Sequence, residues 1–70
     1  KGVPRDYNKA VQWFQEGAKR NCHQAQNSLG WAYLKGKGVP RDKATALTYF
    51  RLSAQQGNKL AQDNLKNYGN

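Results

Sequence analysis

Seventy residues leave room for one small domain, with a core near the lower limit for independent stability. Twelve Lys and Arg against four Asp and Glu give a net charge of +8, which favours acidic partners. The basic residues are nevertheless scattered singly or in pairs, with Lys19-Arg20 the longest run, whereas a nucleic-acid interface normally clusters them. No apolar run reaches the length of about 18 residues that a membrane-spanning helix needs, no signal-peptide pattern is present, and the start at Lys1 rather than Met marks the chain as a processed or excised piece.

The chain opens on Lys1-Gly2-Val3-Pro4-Arg5-Asp6, and the same six residues return at Lys37–Asp42. The phrase holds no acid–base pair, no metal cluster and no nucleophile beside a base, so its recurrence reads as structural. Setting each residue against the one 36 positions later compares 34 pairs without a gap. Twelve are identical: the six of the phrase, Ala10/Ala46, Phe14/Phe50, Ala18/Ala54, Ala25/Ala61, Gln26/Gln62 and Leu29/Leu65. Average composition gives about two. Periods of roughly 20–50 residues signal a solenoid, in which each unit buries its apolar face on the next.

A first helix is predicted over 6–20, with Asp6 as its N-cap and Ala10, Trp13, Phe14, Gly17 and Ala18 spaced by three and four. Asn21, which tolerates left-handed φ, closes it. The single cysteine, Cys22, reads as a buried small hydrophobe, and His23 as a surface residue early in the next helix. With no other Cys or His in the chain, neither a disulfide nor a zinc site is expected. Adjacent helical side chains point about 100° apart, so Cys22 and His23 do not form a nucleophile–base pair.

The second helix is predicted over 23–35, with an apolar stripe of Ala25, Leu29, Ala32 and Tyr33. Gly30 lies inside it. Interior glycine costs about 1 kcal/mol against alanine, which implies that another helix approaches closely there. Gly36 stops the helix, and "KGKGVPRD" forms a long turn. In that turn Gly38 permits an unusual backbone angle, Val39 tucks into the hairpin crease, Pro40 stiffens the exit and Asp42 caps a third helix over 42–56. Ala46, Tyr49, Phe50, Ser53 and Ala54 copy the spacing of the first helix, and Gly57 ends the third. A fourth helix over 58–68 carries Ala61, Leu65 and Tyr68. Arg5 and Arg41, in the turns, are expected to pair with a carboxylate or a helix end. Tyr7, Trp13, Phe14, Tyr33, Tyr49, Phe50 and Tyr68 fall mostly on core-facing positions and read as packing rather than as a base-stacking platform.

The pattern Ala25-xxx-Leu29-Gly30-xx-Tyr33-xx-Gly36-x-Gly38-Val39-xx-Asp42-xxx-Ala46-xx-Tyr49-xxxx-Ala54-xx-Gly57 resembles the Sel1-like repeat, a relative of the tetratricopeptide repeat. The period of 36 and the longer glycine-containing turn suit it better than the roughly 34 residues of tetratricopeptide repeats. Departures are Thr45 where the family often has Lys, Tyr49 where it often has Trp, Asn21 for the closing Gly, Lys66 for the helix Gly, and Tyr68 one residue early. The last helix is therefore expected to end an array with its outer face released from packing. Some secreted members tie their helices with paired cysteines, and this chain has only Cys22.

The resemblance implies an all-α fold of antiparallel helical hairpins stacked as an α/α superhelix (a solenoid), four helices in all. Residues 1–21 would be the second half of one repeat, 22–57 a complete repeat and 58–70 the first helix of a third. It implies a non-catalytic scaffold, without cofactor or metal, that binds a protein or peptide through its concave face. The groove residues expected there are Gln24, Asn27, Trp31, Leu34 and Lys35, with Leu60, Asp63 and Asn67 from the next unit. Trp31 stands out because aromatic side chains anchor interfaces. The alternative is a secreted or periplasmic Sel1-repeat protein with hydrolase (β-lactam-like) or cell-wall-related activity, which would need a nucleophile with a base or a metal-bound water. A weaker third reading is the binding of an anionic polymer. Helix 6–20, without the first helix of its own hairpin, is expected to leave Val11, Phe14 and Ala18 open to water and so to be marginally stable or to self-associate.

Overall fold

Each helix begins and ends where the side-chain chemistry changes. The computed structural model describes residues 7–69. Among them lie four helices and no strand: α1 Tyr7–Lys19, α2 His23–Lys35, α3 Lys43–Gln55 and α4 Lys59–Tyr68. The first copy of the repeated phrase, with the expected Asp6 cap and Arg5, lies outside the described residues.

The second copy is the turn between α2 and α3. Gly36 closes α2 at φ 72°, and the Lys37 N–H donates back to the Ala32 carbonyl at 2.9 Å, so carbonyls that the helix cannot satisfy internally find a donor. Gly38 stands at φ 81°, and a Cβ there would lie 2.6 Å from the Tyr7 carbonyl oxygen. Position and angle together exclude any side chain. Val39 packs against the core, as expected. Asp42 then caps α3: its Oδ1 accepts from the Thr45 N–H at 3.2 Å and its Oδ2 from the Thr45 hydroxyl at 2.8 Å.

The short turns after α1 and α3 are one geometry used twice. Asn21 has φ 65° and Gly57 φ 92°. Their N–H groups donate to Ala18 and Ala54 at 3.0 and 2.9 Å, and the next residues, Cys22 and Asn58, donate to Gly17 and Ser53 at 2.9 and 3.3 Å. The repeated glutamines reach back to the same carbonyls: Gln26 Nε2 lies 3.4 Å from Ala18 O, and Gln62 Nε2 lies 3.1 Å from Ala54 O. The identity Gln26/Gln62 thus marks a reused hydrogen bond across a turn. Cys22 precedes α2 in extended backbone and is exposed. Its expected burial is corrected, because the tight turn projects it to solvent.

Helix α2 lies antiparallel to both α1 and α3. Along the α2–α3 hairpin, the Ser53 hydroxyl at the far end of α3 donates to the His23 carbonyl at 2.6 Å, Gly30 faces Phe50 and Ala46, and the Asp42 N–H donates to the Tyr33 carbonyl at 2.9 Å. Along α1, Gly17 faces Ala25, Val11 packs with Leu29 and Ala32, and Tyr7 meets the turn after α2. The core falls into two clusters. One holds Val11, Leu29 and Ala32, with Phe14, Ala18, Tyr33 and Tyr49 against it; the other holds Leu34, Ala46 and Phe50, with Trp31, Leu47, Leu65 and Tyr68.

Two expectations about α1 are corrected. Val11 is buried rather than open to water, because α2 covers it. Trp13 is 71 % exposed rather than packed. Its repeat partner Tyr49 is covered by Tyr33, stacked at 5.9 Å and 11°, and among the described residues Trp13 has no such ring against it.

Gly30→Ala is expected to destabilise the chain although alanine is the better helix former. The added Cβ would stand 2.6 Å from the Phe50 ring and 3.1 Å from the Ala46 carbonyl. Overpacking of this kind costs about 1–3 kcal/mol, against a propensity gain of about 1. Urea unfolding should show a lower midpoint, and Phe50→Leu in the same chain should recover part of it.

Asp42 makes folding sensitive to acid. The hydrogen bond from the Thr45 side chain, then that from its backbone, hold the Asp42 carboxyl below its ordinary value. A carboxyl depressed in the folded state contributes stability that is present above the unfolded value, about 3.9, and lost as pH falls through the folded value. Thermal melts between pH 5 and 2.5 should therefore show a decline that flattens in Asp42→Asn.

Candidate functional site

The residues expected to bind a partner lie on α2 and α4, so the first question is what aligns these two helices. Three side-chain rungs join them. Asn58 Oδ1 is occupied by the Ala61 N–H at 2.9 Å, which turns the Asn58 amide nitrogen toward His23 Nδ1 at 2.8 Å. That contact is a hydrogen bond when the neutral ring carries its proton on Nε2. Farther along, Asn64 Nδ2 donates to Asn27 Oδ1 at 3.0 Å, in a buried pair. At the far end Tyr68 meets the edge of Trp31 at 5.7 Å and 75°. His23, Asn27 and Trp31 advance along α2 as Asn58, Asn64 and Tyr68 advance along α4, so the two helices run parallel, about one repeat apart.

Both helices also carry exposed residues. On α2, Gln24 and Lys35 are exposed, with half-buried Ser28 and Trp31 between them. On α4, Leu60, Asp63 and Asn67 are exposed, and Leu60 is 66 % exposed, a large apolar side chain left in water. Trp31 is held on two sides, by Phe50 at 6.2 Å and 79° and by Tyr68, while Lys35 Nζ sits 5.2 Å from its ring centroid. Such a cation over an aromatic face is worth about 0.5–1 kcal/mol at an exposed site.

Of the eight expected residues, Gln24 and Lys35 of α2 and Leu60, Asp63 and Asn67 of α4 are exposed, and Trp31 is half-buried. Asn27 and Leu34 are buried, and their placement on an open groove is corrected. Asn27 is buried by its bond to Asn64, and Leu34 by Ala46 and Phe50. Asn27 points between α2 and α4 and Leu34 between α2 and α3, neighbours that the periodicity of α2 alone does not reveal. His23, expected at the surface, is half-buried as one of the rungs.

A slot between α1 and α2 is a further feature. Tyr7, Ala10, Val11 and Phe14 of α1 face Ser28, Trp31, Ala32 and Lys35 of α2 across a slot of about 150 Å³, with Lys37 at its mouth. Each wall is a stripe at i, i+3, i+4, i+7, which is legible in the sequence. That the stripes face each other across a gap is not. Among the described residues, no group of three or more His, Cys, Asp or Glu side chains could hold a metal ion, and no helix is long and apolar enough to cross a membrane.

The Asn27–Asn64 rung can be tested by a double-mutant cycle. Asn64→Leu strands a buried amide and should cost about 1–3 kcal/mol. Replacing both residues with leucine should cost less than the two single changes summed. Chemical denaturation of the four proteins measures the coupling.

The Sel1 repeat family model matches residues 1–22 and 23–58. Neither a curated protein nor a solved structure matches the chain. Sel1 repeats are helical-hairpin units of a solenoid, typically non-catalytic, and generally mediate protein–protein interaction. The antiparallel hairpin, the turn used twice and the parallel α2 and α4 are the physical content of that match, and the chain belongs to the Sel1 repeat family.

Proposed function

We propose that this chain is a non-catalytic scaffold module that binds a protein or peptide partner across the wall formed by α2 and α4. In this reading residues 1–21 close one repeat, 22–57 make a complete one and 58–70 begin a third. The observation that carries the reading is the pair of parallel helices. Gln24, Trp31 and Lys35 belong to α2 and Leu60, Asp63 and Asn67 to α4, and the His23–Asn58 and Asn27–Asn64 contacts hold these two helices in register.

The chemistry of the wall suits a peptide of mixed character. Leu60 and the exposed part of Trp31 offer apolar contact, and aromatic anchors dominate binding energy at interfaces. Lys35 and Asp63 supply opposite charges that select partners and orient them more than they tighten binding. A wall already fixed by the fold loses little conformational freedom on binding, which is the advantage of a preorganised surface.

Peptides selected from a random library against the immobilised chain should shift the amide resonances of 24, 28, 31, 35, 60, 63 and 67. Leu60→Glu should weaken them by about tenfold or more, while Arg51→Glu, on the exposed side of α3, leaves the affinity unchanged. Selected peptides that instead shift α3 resonances and ignore Leu60→Glu would contradict the assignment.

A further inference from the structure

A single side chain, Asn58, both starts α4 and ties it to α2. Its Oδ1 accepts from the Ala61 N–H at 2.9 Å, which leaves its amide nitrogen facing His23 Nδ1 at 2.8 Å. Turning the amide over would set that nitrogen against the Ala61 N–H, donor against donor. While it caps α4, Asn58 therefore offers His23 only donors, and the ring must answer with a lone pair on Nδ1. A neutral imidazole with its proton on Nε2 does so. A doubly protonated one cannot, because both of its nitrogens donate.

His23 is held from the other side. Its carbonyl accepts the Ser53 hydroxyl of α3 at 2.6 Å, and one turn along α2 the Gln26 Oε1 accepts from Gln56 at 2.6 Å. The conflict created by a second ring proton is thus relieved at Asn58. Either the contact to His23 opens, or the amide turns over and the Ala61 N–H loses its cap, and both loosen the first turn of α4. The surroundings supply no counter-charge that would hold a protonated ring in place. The turn before α2 carries Arg20 and Cys22, both exposed; α3 presents the neutral Ser53 and Gln56; α4 carries Lys59 and, a turn beyond, Asp63, both exposed. Among the described residues no carboxylate is paired with His23.

We propose that the His23–Asn58 contact is a proton-sensitive latch: with the ring neutral it docks α4 on α2, and protonation of the ring releases the first turn of α4. The sign follows from the contact. What it contributes is present at neutral pH, is lost as pH falls through the region around 6.5 where imidazoles ordinarily change charge, and returns as pH rises. Weaker partner binding in acid is a consequence that rests on the reading above, in which α4 supplies Leu60, Asp63 and Asn67 to the wall.

Amide hydrogen exchange of the whole chain tests the latch with no partner present, so the latch and the wall can fail separately. The comparison is of protection factors at about pH 7.5 and 5.5, a window clear of the ordinary carboxyl and thiol values. Protection of the α4 amides should fall about fivefold at the lower pH, the worth of one hydrogen bond, while that of α2 and α3 holds. In His23→Asn the side-chain oxygen takes the place of Nδ1 and accepts at either pH, so the fall should vanish. Asn58→Asp keeps the cap but puts an acceptor where the amide donated. The protonated ring is then the better partner, and α4 protection should rise as pH falls. A merely structural role for either residue does not reverse that sign.

Equal α4 protection at the two pH values in the unaltered chain overturns the proposal. So does a fall that persists in His23→Asn, or a fall in place of the rise in Asn58→Asp. Should one variant fail to fold, the other decides together with the unaltered chain.

Discussion

The close approach of α2 and α3 at Gly30 is the contact on which the remaining geometry depends. Without a Cβ at this position, the Phe50 ring lies directly against the backbone of α2 and becomes fully buried. Phe50 is then the floor on which Trp31, Leu34 and Leu65 rest. In a chain this small, fully burying one such side chain contributes on the order of 1.5–3 kcal/mol, a large share of what a domain of this size has to spare. The interior glycine, unfavourable for an isolated helix, is thus favourable for the hairpin.

From that hairpin the repeat propagates by polar contacts as much as by apolar ones. The Gln26 and Gln62 side chains return to Ala18 O and Ala54 O, Ser53 bonds the His23 carbonyl, and Gln56 bonds Gln26 at 2.6 Å. No buried side-chain nitrogen or oxygen among the described residues is left without a partner. This matters because a half-satisfied polar network destabilises more than an apolar one. These bonds also carry direction. An apolar stripe lets α4 slide or rotate against its neighbours, whereas the Asn27–Asn64 and His23–Asn58 contacts fix both its register and its polarity.

The positions misread from sequence share one cause. The period of its own helix, or residue type, gives each of Trp13, Asn27 and Leu34 the wrong side. Each is decided by a neighbour that period does not encode. Trp13 is apolar but exposed because, among the described residues, no ring covers it as Tyr33 covers Tyr49. Asn27 is polar but buried because Asn64 supplies a donor. Val11 was expected to be bare, and α2 covers it because a solenoid helix packs on the helix after it in sequence as well as the one before.

What the sequence alone determined is largely local or periodic: four helices within a residue or so of their observed ends, the Asp42 cap, the left-handed closures at Asn21 and Gly57, the helix stop at Gly36, the unusual angle at Gly38, and the family itself. Caps, positive φ and 3.6-residue stripes depend on near neighbours in the chain, so identical residues 36 apart report identical local geometry. Only the tertiary structure decided which stripe faces which. Half-open Phe14 and closed Phe50 are the same residue in the same register, and they differ because α2 lies against one slot while nothing described here lies in the other. Burial is a property of pairs of helices, and a period read along one of them cannot contain it.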